Sequence, residues 1–561
     1  MIVVSKALTF LLITGLWLLA PPQQGSKIEK PATESITFTK DIAPILNRNC
    51  VACHRPGNVA PMSLRTYEEV RPWSEMIREK VVSRQMPPWH AAPGEIEFSN
   101  ERRLSEEEIK KIVAWVDQGT SEGDAKDLPE PPSFSEAWKI GQPDTVFSMD
   151  QDYTLDTDLT DHYLYIRIPT NFKEDKWVQA VEFRPGNRTV VHHAVAYIET
   201  PEHAAQERRL NPSSSGAAKV WSLLDTQLPS VELMDGTTRR MKPDAPIVND
   251  GCSVRDAEEV GGRNNSDVLS VYAPGREADV WPAGTAKKIP AGSNIVLQMH
   301  YAKKRGTIEK DRTSVALIFA KAPVEKMVGT RSIINQLFAI PAGAENHKVT
   351  ACWTYQRDVE LISFMPHIHV RGKSMKYEVV YPDGKRQTLL DVPGYDFHWQ
   401  TLYSLKKPLM IPSGSTIQVT AYFDNSERNM HNPDPTKIIR QGSATYDEMM
   451  IGFLNYVVPK PPDRVIIKVD PKKFDAYLGQ YEFDQTAAVS IVRAGDKLFM
   501  EAGGQRVELL PISETTFVPE GRDSQVTFTK GEKSEVTGFI TTQNDTLVRF
   551  KRRSTIKNQT Q

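Results

Sequence analysis

Six residues able to ligate a metal follow one another through the middle of the chain: His192-His193, then His300, then His367-Ile368-His369, then Met449. Three imidazoles suit one copper ion, and two imidazoles with a thioether make a second, softer site that favours Cu(I). Upstream stands Cys50-Val-Ala-Cys53-His54. Two thiols on one helical turn can add to the vinyl groups of a haem, and the adjacent imidazole can bind its iron. The rival readings of a Cys-x-x-Cys, a redox thiol pair or half a zinc site, need a βαβ setting or a second ligand pair, and neither stands nearby. The sixth iron ligand is expected from Met62, Met76 or Met86. Met86 is preferred because Pro87-Pro88-Trp89 holds the following chain extended. Together these residues describe a chain that moves electrons toward oxygen.

The elements that must position them differ along the chain. His367 and His369 are two apart in a strand pattern, so both imidazoles project from one face. His192 and His193 are adjacent and would point to opposite faces of a regular strand. They can share a metal only at a bulge or edge, or by one using Nδ1 and the other Nε2. His300 comes from another strand, Ile295-Val-Leu-Gln-Met-His-Tyr301. Met449 has a competing role in a core, since Met450 and apolar residues follow it. Of the other histidines, His398 and His431 are expected to make structural hydrogen bonds, with His398 a candidate to support a metal ligand. His90, His162, His203 and His347 carry no assigned role.

At 561 residues the chain exceeds one hydrophobic core. Its net charge of −2 lacks a basic footprint, which argues against a nucleic-acid partner. Residues 1–25 read as a signal peptide, with an apolar run Ala7 to Ala20 before Pro21-Pro22. An exported, periplasmic protein is expected, with an uncleaved signal acting as membrane anchor as the alternative. Residues 36–128 read as a small all-α unit, with helical patterns at Lys40 to Asn47, Tyr67 to Ser83 and Glu106 to Gln118, the last capped by Ser105 with Glu108. Alternating strands then fill 138–325 and 326–459, and 464–561 alternates again as a separate barrel. In an oxidising compartment Cys252 and Cys352 can pair; two separate buried thiols are the alternative.

The ordered set His-His, Gln-Met-His-Tyr, His-x-His and Asp-Glu-Met closely resembles the ascorbate-dependent type II copper monooxygenases, the family of the peptidylglycine α-hydroxylating and dopamine β-hydroxylating enzymes, over roughly Val146 to Val458. The resemblance implies two tandem jelly-roll-like β-sandwiches with a copper on each. His192, His193 and His300 would hold the electron-transferring ion, and His367, His369 and Met449 the ion where oxygen is activated. Two positions depart from the peptide-amidating members. An arginine two residues before the first His of His-x-His is here Met365, and a tyrosine four residues after the ligand methionine is here Phe453. A cysteine next to the ligand methionine is replaced by Met450. Phe38-Thr-Lys-Asp-Ile-Ala-Pro-Ile-Leu and Cys-x-x-Cys-His-Arg-Pro-Gly resemble single-haem cytochrome c domains fused to such copper modules. Leu478-Gly-Gln-Tyr-Glu-Phe and Leu498-Phe-Met-Glu resemble the lipocalin-like barrel appended to some β-lactamase-type hydrolases.

The expectation is a multidomain, mainly β oxidoreductase with two coppers and one covalent haem c. It would hydroxylate a C–H bond of an unidentified small-molecule or peptide substrate with O2, taking electrons from a periplasmic donor through the haem. The alternative is a non-enzymatic haem and copper electron carrier. Oligomeric state is not written in these residues.

Overall fold

The computed structural model describes residues 35–553 except 59, 135–136, 156–160, 202–203, 205–229, 233–237, 241–245, 254–259, 265–267, 277, 304–305, 443, 461–464, 484–486, 503–504, 521–523 and 544–545. The expected signal segment, 1–25, lies outside them, as does His203. Among the described residues no helix is long and apolar enough to cross a membrane.

The described residues begin with short helices around a buried cluster that includes Phe38, Leu46, Ile112 and Trp115. Helix Glu106–Asp117 starts at the expected cap: the Ser105 hydroxyl accepts from the Glu108 amide, and the Glu108 carboxylate accepts from the Ser105 amide. Its Ile109, Ile112, Trp115 and Val116 face the core. The expected helix over Tyr67 to Ser83 is divided into Tyr67–Val70, a 3-10 turn Arg71–Trp73, and Ser74–Val82. Pro72, which lacks a donor and clashes with a helical turn behind it, sits in that break.

The segment after these helices docks on the β region rather than on its own unit. Trp89 and Ala91 belong to the buried core around Phe364 and Tyr377. Trp89 packs edge-on against Tyr403 at 4.9 Å. Backbone hydrogen bonds Ser99 N to Ser404 O (2.8 Å) and Lys406 N to Glu97 O (2.9 Å) add this segment to the edge strand Tyr403–Ile411. Arg102 also donates to the Gly275 carbonyl on the other side of the β region.

A ten-stranded sheet runs through the whole β region in the order Thr145–Ser148, Ser314–Phe319, Lys176–Arg184, Thr285–Ile289, Lys326–Asn335, Ile451–Pro459, Val359–His367, Tyr403–Ile411, with two side strands. It crosses the expected division at 325/326 without a break, because Lys326–Asn335 pairs in parallel with Thr285–Ile289 and antiparallel with Ile451–Pro459. Each half is covered by a four-stranded antiparallel sheet. Asp161–Pro169, Asn294–Ala302, Val191–Glu199 and Val268–Tyr272 cover the first half, joined through a core that includes Val181, Ala196 and Leu297. His347–Thr354, Thr416–Phe423, Gly372–Val380 and Arg386–Val392 cover the second, around Phe364, Tyr377 and Val419. Two sheets with a shared apolar interior are the sandwich arrangement that the alternation predicts. Cys252 and Cys352 form a disulfide that ties a short turn to strand His347–Thr354.

Residues 479–552 close into an up-and-down barrel of eight strands, Gly479–Phe483 pairing back to Thr546–Arg552. Its interior is aromatic, with Tyr481, Phe517, Phe528 and Phe539 buried. The fold is thus mainly β, with few helices and one closed barrel.

Candidate metal centres

The first centre is built by a register irregularity. His300 lies directly opposite His193 in the ladder between Asn294–Ala302 and Val191–Glu199, but the next pair is Tyr301 with Val191. His192 is therefore the extra residue of a β-bulge, which changes the direction of its side chain. The imidazoles of His192, His193 and His300 consequently converge, with His193 Nδ1 lying 3.3 Å from His192 Nδ1 and 3.2 Å from His300 Nδ1. The three ligand atoms lie within 4.8 Å of one another. Burial, followed by the charges of His300, His192, His367 and His369, holds the His193 imidazole well below its ordinary range. It is therefore neutral at neutral pH, the state that ligates a metal. Tyr163, across the ladder from His300, stacks on its ring at 4.1 Å and 5°. Three imidazole nitrogens converging on one point fit a copper ion.

The second cluster is held from outside the sheet. His367 is the last residue of strand Val359–His367, paired with Ile451, the first residue of its neighbour. His369 thus lies beyond the strand rather than within it, as strand spacing predicts; the ladder has no partner left to extend it. His367 Nδ1 is 3.0 Å from Gln400 Oε1, and His369 Nδ1 is 3.2 Å from the Asp447 carbonyl. With Nδ1–H donated to oxygen, Nε2 is the basic nitrogen of each ring. Burial pushes the His367 imidazole down to about 4, so it too is neutral.

Glu448 fixes the loop that carries His369. Its two carboxylate oxygens accept from the His369 amide (2.8 Å) and the Arg371 amide (2.6 Å). Burial raises this carboxyl to about 8, against the pull of those amides, the Arg371 charge and the Met449 amide. Arg371, fully buried, ties the same loop to the Tyr446 carbonyl (2.7 Å) and to Asn425 (2.9 Å). Just after His369, Gly372 leaves the room this turn requires: a Cβ there would overlap the Ile368 side chain and crowd the His369 carbonyl. Met449 follows Glu448 directly and is half-buried, whereas Met450 is fully buried in the core. The core role weighed for Met449 thus belongs to its neighbour.

The two clusters adjoin. The His193 and His367 ring centres are 6.3 Å apart. Phe397 stands between them, stacked on His192 at 4.9 Å and edge-on to His369 at 5.7 Å. His398 lies 6.0 Å from both His192 and His431, ring to ring. At the two departing positions, the Met365 sulfur accepts from Arg276 at 3.7 Å, and Phe453 lies 6.2 Å from His367. Gln400, Asp447, Glu448, Tyr163 and Phe397 were not foreseen from sequence. Asp447 and Glu448 had one signal, their position just before Met449; Gln400, Tyr163 and Phe397 come from other strands and loops.

In the helical unit, neither Cys50 nor Cys53 is in a disulfide. One turn, His54 N to Cys50 O at 2.9 Å, sets the three motif residues together. Burial pushes the Cys50 thiol up to about 12 and holds the His54 imidazole below its ordinary range. His54 Nδ1 is buried without a hydrogen-bond partner. A pair of unbridged thiols and a neutral imidazole with an unpartnered nitrogen fit a covalently attached haem. Met62 packs against the helical core, Met76 is exposed, and Met86 faces the second sandwich.

Residues 327–477 match the family model of the copper type II ascorbate-dependent monooxygenase, C-terminal domain. Over this span the chain is similar to the C-terminal domain of a copper monooxygenase. The matched span contains His367, His369 and Met449. Penicillin-binding protein 4* of Bacillus subtilis (strain 168) is 27% identical over 148 residues, 25% of this chain and 33% of that protein. The chain thus spans about a third of the length of that curated relative. Among solved structures, the major capsid protein P2 of bacteriophage PM2 aligns with 54% of this chain and 99% of its own at 6% identity and a TM-score of 0.19. PNGF-II aligns with 57% and 66% at 9% identity and a TM-score of 0.22. Scores this low carry no argument.

Proposed function

We propose that the protein is an exported copper monooxygenase that hydroxylates a C–H bond of its substrate with O2 and is supplied with electrons through a c-type haem. The observation that carries this reading is the convergence of His192, His193 and His300 beside His367 and His369. In it, His192, His193 and His300 hold an electron-transferring copper through Nδ1, and His367, His369 and Met449 hold the oxygen-activating copper. When bound, the coppers supply one-electron chemistry and oxygen activation. Burial keeps the His193 and His367 imidazoles neutral, and Gln400 and Asp447 orient His367 and His369.

The haem relay is supported by how the helical unit docks. Cys53 is close enough to influence Tyr272, whose phenol is raised chiefly by burial and in smaller part by that thiol. Tyr272 pairs with Ala194, the residue after His193. A haem on Cys50, Cys53 and His54 would therefore have its thiol side toward the three-histidine centre, while Met86, its proposed sixth ligand, lines the cavity toward the second sandwich. The closed eight-stranded barrel supports an accessory lipocalin-like domain at 464–561.

Metal analysis of the full chain, produced with haem-attachment machinery and copper, tests the reading. One iron and two coppers are expected. Met449→Ala should weaken copper binding and abolish substrate-coupled O2 uptake while leaving haem reduction intact. A protein with iron but no copper, or a variant with undiminished O2 uptake, would refute it.

A further inference from the structure

The loop after strand Thr416–Phe423 carries an exposed pair, Met430-His431. Met430 is 90% exposed, so its thioether packs in no core. His431 is exposed as well, and so is His398 on the loop that holds Phe397 and Gln400. The structural hydrogen bonds expected of these two imidazoles are not made. Among the described residues only their backbone amides bond, His398 N to Asp396 Oδ1 (2.9 Å) and His431 N to Asn429 Oδ1 (3.0 Å). The three side chains border one opening, so two imidazoles without hydrogen bonds and a thioether face common space.

The rings of His398 and His431 lie 6.0 Å apart at 73°, close to the 5.3 Å and 88° of His367 and His369. The loop of Met430 and His431 is held in place by its own side chains. The Asn429 carboxamide donates to the Asp424 carbonyl (2.9 Å) and to the Val370 carbonyl (3.2 Å), and that of Asn432 donates to Asn425 Oδ1 (3.1 Å). A donor set fixed in advance loses little freedom when it binds. On its other side the His398 ring is 6.0 Å from that of His192, at 79°. His398 therefore links the exposed pair to the three-histidine centre.

We infer that Met430, His431 and His398 form a third copper site, a Cu(I) loading site that delivers the ion to the centre of His192, His193 and His300. The inference rests on the copper reading of that centre. Imidazole and thioether are ligands that the soft Cu(I) ion accepts. Exposure keeps the site exchangeable, because small ligands reach the bound ion from outside, so washed protein retains two coppers. Inward transfer is ligand exchange: a bond from copper to His192 forms as the bond to Met430 or His431 breaks, with His398 retained as ligand meanwhile. The ion keeps its charge, and no electron or proton moves. A docked ion meets the inner imidazoles at an effective concentration on the order of millimolar, far above that of free copper.

The test uses the full-length, haem-bearing protein stripped of copper and dialysed without oxygen against Cu(I) in chloride buffer. Three equivalents are expected at equilibrium by elemental analysis, and two after desalting into a Cu(I) chelator. Met430→Leu and His431→Gln, both at exposed positions, should each remove the third equivalent and spare the two retained ones. Copper content after timed desalting should show that each substitution slows the filling of the retained sites roughly tenfold. Two retained coppers with no third equivalent, or with a filling rate unmoved by both substitutions, overturn the loading site alone. A protein that retains no copper loses the monooxygenase reading first, and this site with it.

Discussion

The two histidine clusters are built on opposite plans. His192, His193 and His300 are placed by the backbone ladder: a cross-strand pair plus a bulge points all three rings inward, with Tyr163 stacked on His300 and Phe397 on His192. His367 and His369 sit at the end of a strand and past it, and their orientation is borrowed from Gln400, Asp447 and Glu448. The first cluster presents Nδ1 and the second leaves Nε2 basic. A site whose geometry is written into a sheet changes little when its metal changes oxidation state, which suits electron transfer. A site hung on side-chain hydrogen bonds can adjust as a ligand arrives, as the oxygen-activating role proposed for it would require.

Breaking the sheet-built site should have the largest effect. His193→Ala removes the central nitrogen, so copper stoichiometry should fall from two to one, and coupled O2 uptake by a thousandfold or more, about 4 kcal/mol. Retention of two coppers by elemental analysis would mean that the backbone plan alone does not define the site. Gln400→Leu should be smaller and confined to the second cluster. Losing the partner of His367 Nδ1 should weaken that copper by roughly 10–100-fold and leave the other unchanged, as read by competition with a chelator. Equal weakening at both coppers would show that the clusters are one mechanical unit.

Acid should act on both clusters through stability rather than through copper affinity. His193 and His367 stay neutral in the folded protein, while in the unfolded chain they protonate near their ordinary value of 6.5. The unfolded state then binds more protons, so the stability these groups contribute is present above about pH 6.5 and is lost as pH falls toward the folded value of about 4. For His367 this amounts to roughly 3 kcal/mol across that window. Thermal unfolding of the metal-free protein between pH 7 and 4.5 should show this slope, and His367→Gln should flatten it. A slope unchanged by the substitution would assign it to other groups.

Much of this was legible from residue order. The alternating strands, the Ser105 and Glu108 cap, the barrel at the C-terminal end and the ligand types all follow from periodicity and side-chain chemistry, which are local properties. The Cys252–Cys352 bridge was one of two open possibilities, since residues 100 apart meet only if the fold brings them together. The docking of Trp89 into the second sandwich and the sheet running across residue 325 were not legible, because strand addition depends on which edge is left unpaired in the assembled sheet.

The sequence by itself determined which atoms are available: imidazoles, a thioether and paired thiols in a fixed order, with the donor preferences those atoms carry. Only the tertiary structure decided how they are used. A ladder that pairs His193 with His300 but Val191 with Tyr301 turns two adjacent histidines to one centre, and neither strand encodes that offset alone. Gln400, Asp447 and Phe397 reach the clusters from loops far along the chain. Register and long-range contact are properties of pairs of segments, so they come into being only when the sheets assemble.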